Sequence, residues 1–418
     1  MTGQAASPLD LFQLHLGDAD HVFLLSVAVR LSGHIDEEQL RIATDRAAAE
    51  MPVLTSRYIG DIRAGQFTAG TQPVPITITS RHPDRVMTTL SSWHEPLFRI
   101  TICRNRTDTI VFSAAHLLTD ARGLLTITAR IAALFRGADR QQYRQTDRTL
   151  APALGNFSAE QLQELFIREH ERFPQALSDK KYFAGQTIPD AELTIVREQL
   201  APETLAMLKT YAKSRGATIH DLLTAAYGTA LLDWLAKKGT HLAITPLCST
   251  ADLRRYFPEE GRTAPMNYTV AYWSPVSCGE TFAETLAAVT AMTQNLKTHA
   301  IGIGAAEPFA GSTLLENATD RFAGVPFLTN PGVIGDAVNF GDELPIEDIE
   351  FQTACAGGSP FTAAAWTYRD ILHLAAGPAE NDQRTAAFIL KRTADILRSV
   401  AKTAPASLSG TSGTPETV

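Results

Sequence analysis

Apolar and polar positions change period repeatedly along the chain, and the changes mark out strands and helices in alternation. Leu24 to Leu31, rich in Leu and Val, reads as a strand closed by Gly33. Asp36, Glu37 and Glu38 then open a helix running to about Glu50, with acidic residues in the first turn where the helix dipole favours them. Pro52 ends that helix, Val53 to Tyr58 is expected to be extended, and Val74 to Thr79 reads as another strand. From Leu97 the period is two: Phe98, Ile100 and Ile102 alternate with Arg99, Thr101 and Cys103. Asn105 to Asp108 turn the chain into a second strand, Thr109 to Ala115. Leu124, Ile127, Ile131, Leu134 and Phe135 recur at helical spacing, and Gly137 is the expected stop.

Residues 138 to about 190 carry polar helical patterns, among them Ser158 to Glu171, and read as a region joining two halves. Leu193 to Glu198 reads as a strand, followed by a helix ending at Gly216, a helix capped by Thr218 that runs to about Lys238, and a core strand from His241 to Leu247. Tyr268 to Trp273 is a strand candidate, Glu280 to Thr298 a helix, and Pro326 to Thr329 a short strand running into Asn330-Pro331-Gly332. Trp366 to Ala375 and a helix from Asp382 to Ala401 complete the pattern, and Ala404 to Val418 is expected to be a mobile tail.

Strands alternating with helices in both halves predict an α/β protein of α+β sandwich type, with lobes at 1–180 and 181–403 and a tail at 404–418. A doubly wound nucleotide fold is not expected, because no Gly-rich phosphate loop follows a strand. Ile301-Gly302-Ile303-Gly304 is half a dinucleotide fingerprint, but it follows a helix and reads as a loop. At 418 residues the chain exceeds the usual single-core size, which suits two lobes.

Composition narrows the functions. With 44% hydrophobic and 20% charged residues the chain is globular, and a net charge of -8 spread among mixed signs gathers neither nucleic acid nor anionic lipid. Met1 to Asp10 lacks a signal-peptide pattern and no apolar run spans a bilayer, so a cytoplasmic protein is expected. Cys103, Cys248, Cys278 and Cys355 lie far apart, as reduced and mostly buried thiols would, and the eleven histidines form no ligand pattern, so no metal is expected.

Candidate chemistry centres on Ala115-His116-Leu117-Leu118-Thr119-Asp120-Ala121-Arg122-Gly123. It sets an imidazole at a strand end and a carboxylate where the next helix begins. A neutral imidazole can take a proton from a hydroxyl or amine as that group attacks a thioester, provided a neighbour fixes its tautomer. On spacing alone, a solvent-exposed loop with a helix-capping aspartate explains the pair better.

The segment resembles the His-His-x-x-x-Asp-Gly motif of the condensation-domain superfamily, which includes non-ribosomal peptide condensation domains, chloramphenicol acetyltransferase and alcohol acyltransferases. His116 matches the second, catalytic histidine. The resemblance extends along the chain: Leu31 to Leu40, Met51-Pro52-Val53-Leu54 against the family's His-Pro-Leu-Leu, Pro96-Leu97-Phe98-Arg99, Gly216 to Asp221 against Gly-x-Thr-x-Asn-Asp, Asp252-Leu253-Arg254, Asn267, and Leu328 to Gly332 against Ser-Asn-x-Gly. It implies two chloramphenicol-acetyltransferase-like lobes, each a mixed sheet covered by helices, with a tunnel between them. It also implies that His116 deprotonates the acceptor and that Asp120 is structural, with Ala115, Ala121, Gly123, Thr329 and Asn330 along the tunnel. No tightly bound cofactor is implied; acyl-CoA or an acyl-pantetheinyl carrier protein would serve as co-substrate, with a small-molecule acceptor.

Three departures stand out. Ala115 replaces the first histidine, Ala121 the motif glycine, and Thr55 the arginine that often pairs with the motif aspartate; Arg57, Arg122 and Arg254 are the candidate replacements for that arginine. A buried aspartate needs such a partner. His15 and His21 read as surface or partly buried positions, and Ser359 lacks the nucleophile-elbow context of a hydrolase. Two functions are therefore expected to compete: an acyltransferase acting on CoA or carrier-protein thioesters, and a non-catalytic protein of the same fold that binds a carrier protein or metabolite. With no adenylation or carrier segment in the sequence, a freely diffusing donor is expected.

Overall fold

The computed structural model describes residues 3–16, 24–61, 63–68, 70–88, 95–141, 148–172, 183, 193–306, 324–352, 361–378 and 382–404. Helix α1 (Pro8–Leu16), strand β1 (Leu24–Leu31) and helix α2 (Glu37–Glu50) come first. Strands β2 (Ile76–Thr79), β3 (Phe98–Arg104) and β4 (Asp108–Ala115) lead to helices α3 (Ala121–Phe135) and α4 (Ala159–Glu171). Next come β5 (Val196–Leu200), α5 (Pro202–Lys213), α6 (Ile219–Lys237), β6 (Cys248–Asp252), β7 (Thr269–Trp273) and α7 (Phe282–Thr298). Strands β8 (Phe327–Val333), β9 (Ile346–Gln352), β10 (Thr362–Tyr368) and β11 (Ile371–Ala376) precede the last helix, α8 (Gln383–Ala401).

Two large mixed sheets covered by helices carry the fold, in agreement with the α/β expectation. The first has the order β9-β1-β4-β3-β2, antiparallel except for β2 beside β3. The second has the order β7-β6-β8-β10-β11-β5, with β8 parallel to both β6 and β10. Strand β9 pairs with β1, so a segment that follows β5 to β8 in the chain closes the edge of the first sheet.

In the first sheet, Val27, Val29, Leu31, Ile110 and Phe112 point into a large core shared with α2 and α3. Their other-face neighbours Ala28, Cys103 and Val111 pack on Val86 and Met87 of a short helix, Pro83–Met87. Each of the large apolar side chains contributes about 1.5–3 kcal/mol by leaving water. Burial on both faces explains why β1 reads as an almost continuous apolar run. Helix α6 is buried nearly all round, against the second sheet, α7 and α8. Its start is fixed by a capping box in which Thr218 and Asp221 exchange hydrogen bonds.

Several expectations change in detail. Pro52–Thr55 is a 3-10 turn and only Arg57–Gly60 is extended, because Pro52 starts the turn. Of the strand expected at His241 to Leu247 only Ile244–Thr245 forms, paired with Val276–Ser277; the longer core strand follows at Cys248–Asp252, where Ser249 and Thr250 give it a polar look but bond Ser274 at 2.8 Å and Thr329 at 3.0 Å. Trp366 to Ala375 is a hairpin whose turn residues Arg369 and Asp370 take positive φ without the usual Gly or Asn. Strand β9 was not expected: Asp348 and Glu350 break its apolar pattern, and both meet arginines across the sheet face, Arg30 and Arg197. Gly302 lies in the expected loop, but Gly304 lies in a one-turn helix, Ile303–Ala306, and a Cβ on Gly304 would stand 2.2 Å from the Leu165 carbonyl, so glycine lets that turn approach α4. The predicted tail beyond Ala404, together with His21, Cys355 and Ser359, lies outside the described residues, as does the side chain of His15. Among the described residues no helix is long and apolar enough to cross a membrane, and no cluster of metal-ligating side chains occurs.

Candidate active site

Strand β4 is held between β1 and β3 up to Ala115, whose amide donates to the Leu97 carbonyl at 2.8 Å. There the ladder stops and the chain turns, the Leu118 amide donating to the Ala115 carbonyl at 2.8 Å. Leu117 and Leu118 sink into the core, which leaves His116 as the residue of this turn that is half-buried rather than buried. Burial holds the imidazole below its ordinary proton affinity, against the opposing pull of the Asp120 and Asp10 carboxylates. An imidazole shifted in this direction is largely neutral at physiological pH, and His116 as a residue keeps partial exposure. Its own carbonyl also favours the protonated form, yet no aligned hydrogen bond forms and Nδ1 is buried without a partner.

Asp120 caps α3, accepting from the Gly123 amide at 2.8 Å. Its second oxygen accepts from Arg254 Nη1 at 2.8 Å, the Tyr268 amide at 2.8 Å and Thr269 Oγ1 at 3.1 Å, all from the second sheet's side. Burial alone would push the carboxyl up; the Arg254 charge and these hydrogen bonds overcome it and hold Asp120 below the usual carboxylate range. Arg254 also reaches Asp252 and the carbonyls of Ala264 and Met266. Of the three arginines considered from sequence, Arg254 is thus the partner. Arg57 is exposed in a small three-stranded sheet, and exposed Arg122 lies 3.8 Å from Asp252 instead.

The other predicted residues divide. Ala121, Thr329 and Asn330 are partly accessible. Thr329 shares a hydrogen bond with Thr250, and Asn330 accepts from the Gly332 amide at 2.9 Å, shaping a bulge in β8. Ala115 and Gly123 are buried: Ala115 belongs to the first core, and a Cβ on Gly123 would lie 2.1 Å from Thr119 Oγ1 and 3.0 Å from the main chain of Pro265. Gly123 is therefore required where α3 meets the second sheet's loop.

One further feature was not read from sequence, and two residues that fall in the motif-like segments take defined places as well. Arg148 and Asp10, each 1% exposed, form a two-bonded ion pair beside the His116 turn. His220, in the first turn of α6, is half-buried with Nε2 3.3 Å from the Tyr272 hydroxyl, and burial lowers its proton affinity too. Asn267 is buried between Met266 and Tyr268 with Nδ2 unpartnered. No spacing rule connects Asp10 with Arg148, which are 138 positions apart.

No family profile matches the chain, and no curated protein matches it in sequence. Solved structures match over almost the whole length. The first condensation domain of the CDA synthetase superposes with a TM-score of 0.71 at 15% identity, covering 97% of each chain. The chain has the condensation-domain fold. Polyketide synthase associated protein 5 from Mycobacterium tuberculosis matches with a TM-score of 0.68 at 15% identity, covering 96% of this chain and 99% of that one. TRI3 trichothecene 15-O-acetyltransferase from Fusarium sporotrichioides matches with a TM-score of 0.69 at 13% identity over 95% of each. Within this condensation fold, the expectation from His116 and the scattered motifs agrees with the architecture, while the chemistry rests on the side chains themselves.

Proposed function

We propose that the protein is an acyltransferase that moves an acyl group from a coenzyme A or carrier-protein thioester to a hydroxyl or amine of a small acceptor, with His116 as general base. The observation that carries this reading is a partly exposed histidine at the end of β4, its neutral form favoured by burial, followed four residues on by an aspartate already committed to Arg254. With its proton on Nδ1, toward its own carbonyl, the ring offers the Nε2 lone pair to an incoming nucleophile. The nucleophile's proton passes to Nε2 as its oxygen or nitrogen bonds the thioester carbon; collapse of the tetrahedral intermediate expels the thiolate, which takes that proton back. Asp120 keeps the loop in place and takes no proton. Such an enzyme would work in the cytoplasm, with no resident cofactor.

A second reading, a non-catalytic protein that binds a carrier protein or metabolite, draws on one observation: Nδ1 lacks a formed hydrogen bond, so the tautomer is less firmly fixed than a base requires. The two separate on one experiment. The protein and its His116→Ala variant are incubated with labelled acetyl-, octanoyl- and palmitoyl-coenzyme A, or the same acyl groups on a pantetheinyl carrier protein, and a panel of simple alcohols and amines. The acyltransferase reading expects acylated product from the wild type and a loss of ~10²–10⁴-fold in the variant. Equal product from both removes His116 as base, and no product with any donor favours the binding protein.

A further inference from the structure

We infer that the buried Asp10–Arg148 pair is a positioning device for His116, fixing the main-chain turn from which the imidazole projects. The need for it follows from the ladder. Strand β4 ends at Ala115 and helix α3 begins at Ala121, so the carbonyls of Leu117 and Leu118 sit inside the core with neither a strand neighbour nor a helical amide to serve them. Arg148 serves both: Nη2 donates to the Leu117 carbonyl at 2.7 Å and to the Leu118 carbonyl at 2.9 Å.

The guanidinium is itself locked. Nε and Nη2 each donate to an Asp10 oxygen at 2.7 Å, the charged group lies 4.1 Å from the centre of the Phe67 ring, and Asp10 accepts from the Ser7 amide at 2.8 Å. A planar fork held along its Nε–Nη2 edge by Asp10 and on one face by Phe67, with its buried Nη1 unpartnered, holds two peptide groups in one orientation through Nη2, and those peptides immediately follow His116. Asp120 and Arg254 fix the other end of the same loop. The charges that act on the ring are the carboxylates of Asp10 and Asp120, each paired with its own guanidinium, Arg148 and Arg254, and the Tyr58 phenol feels the Asp10 charge as well. Neither Asp10 nor Arg148 is assigned contact with substrate; they act through the turn.

The test uses the full chain carrying Arg148→Met, Arg148→Lys or Asp10→Asn. His116 ring signals are followed by NMR against pH, His116→Gln supplying the assignment, and the rate of His116 modification by diethyl pyrocarbonate is read by mass spectrometry. Expected for Arg148→Met are faster modification, several ring conformations in place of one, and a protonation midpoint shifted up toward the ordinary value of about 6.5 as the ring gains water. Arg148→Lys, which can serve one carbonyl but not keep the fork, should fall between. Should Arg148→Met fail to fold, Arg148→Lys and Asp10→Asn carry the same readouts. A folded variant of either residue whose His116 signal, midpoint and modification rate equal those of the wild type overturns the inference.

A kinetic arm rests on the acyltransferase reading: kcat is expected to fall by ~10²-fold in Arg148→Met with KM nearly unchanged, since misplacing a base by about an ångström costs that much. Absent turnover in the wild type sinks the acyltransferase reading alone. Unmoved NMR and modification data sink the positioning role alone.

Discussion

Two buried ion pairs grip the five-residue turn that carries His116, and they differ in what they join. Asp120 follows β4 of the first sheet and Arg254 follows β6 of the second, and Asp120 also caps α3 and accepts from the Tyr268 amide and the Thr269 hydroxyl. Asp10 and Arg148 both precede the second sheet in the chain, and only Arg148 reaches the turn, through two carbonyls. One carboxylate is thus a hub that needs its charge to satisfy four donors. The other is an anchor for an arginine whose work lies elsewhere. A charge pair that is buried costs desolvation either way, so its worth depends on what else it satisfies.

The largest effect is expected from emptying the hub. Asp120→Ala strands the Arg254 charge and uncaps α3 together, which predicts a loss of ~3–5 kcal/mol in urea denaturation. A loss under 1 kcal/mol would mean that Arg254 finds water. Next comes the paired replacement, which separates hub from anchor. Asp10→Leu with Arg148→Met removes both charges, and should recover ~1–3 kcal/mol relative to the sum of the two single losses. Asp120→Leu with Arg254→Met should return less far toward the wild-type stability, because the Gly123 and Tyr268 amides, the Thr269 hydroxyl and the Ala264 and Met266 carbonyls all lose a partner, against the Leu117 and Leu118 carbonyls and the Ser7 amide at the other pair. Equal recovery at the two sites would erase the distinction.

The hub was half legible in the sequence and the anchor not at all. His116 and Asp120 follow a local strand-to-helix pattern, and the chemistry of a cap and a strand end is written in adjacent residues. Choosing Arg254 over Arg57 and Arg122 required the second sheet's position, because a partner 134 residues away leaves no trace in local period. Asp10 looks like one more acidic residue in the first turn of a helix, and Arg148 like one more base in a polar stretch; only packing reveals that both are buried. Strand β9 escaped for a related reason. Its acids are neutralised by Arg30 and Arg197 from other strands, so a pattern that depends on neighbours looked like a loop. Ala115 and Gly123 are expected in a channel from their motif positions alone, and packing buries both, Gly123 against Thr119 and the Pro265 main chain.

The smallest effect comes from proton linkage, and it distinguishes the hub from the ring that sits between hub and anchor. Burial lowers the His116 proton affinity, so as pH falls from about 6.5 the unfolded chain takes up the proton before the folded one does. Stability then declines until the folded ring also protonates. His220 and His373, likewise lowered by burial, share this limb. Asp120 works lower: its folded carboxyl lies below the model-peptide value of 3.8, so its stabilisation is intact above that value and is lost as pH falls through the folded one. Urea midpoints measured from pH 8 to pH 2 should therefore show two declines. His116→Asn should shrink the first and spare the second, while Asp120→Asn should flatten the second and spare the first. If His116→Asn leaves the upper decline unchanged, the ring has the same proton affinity folded and unfolded, and burial does not set its protonation.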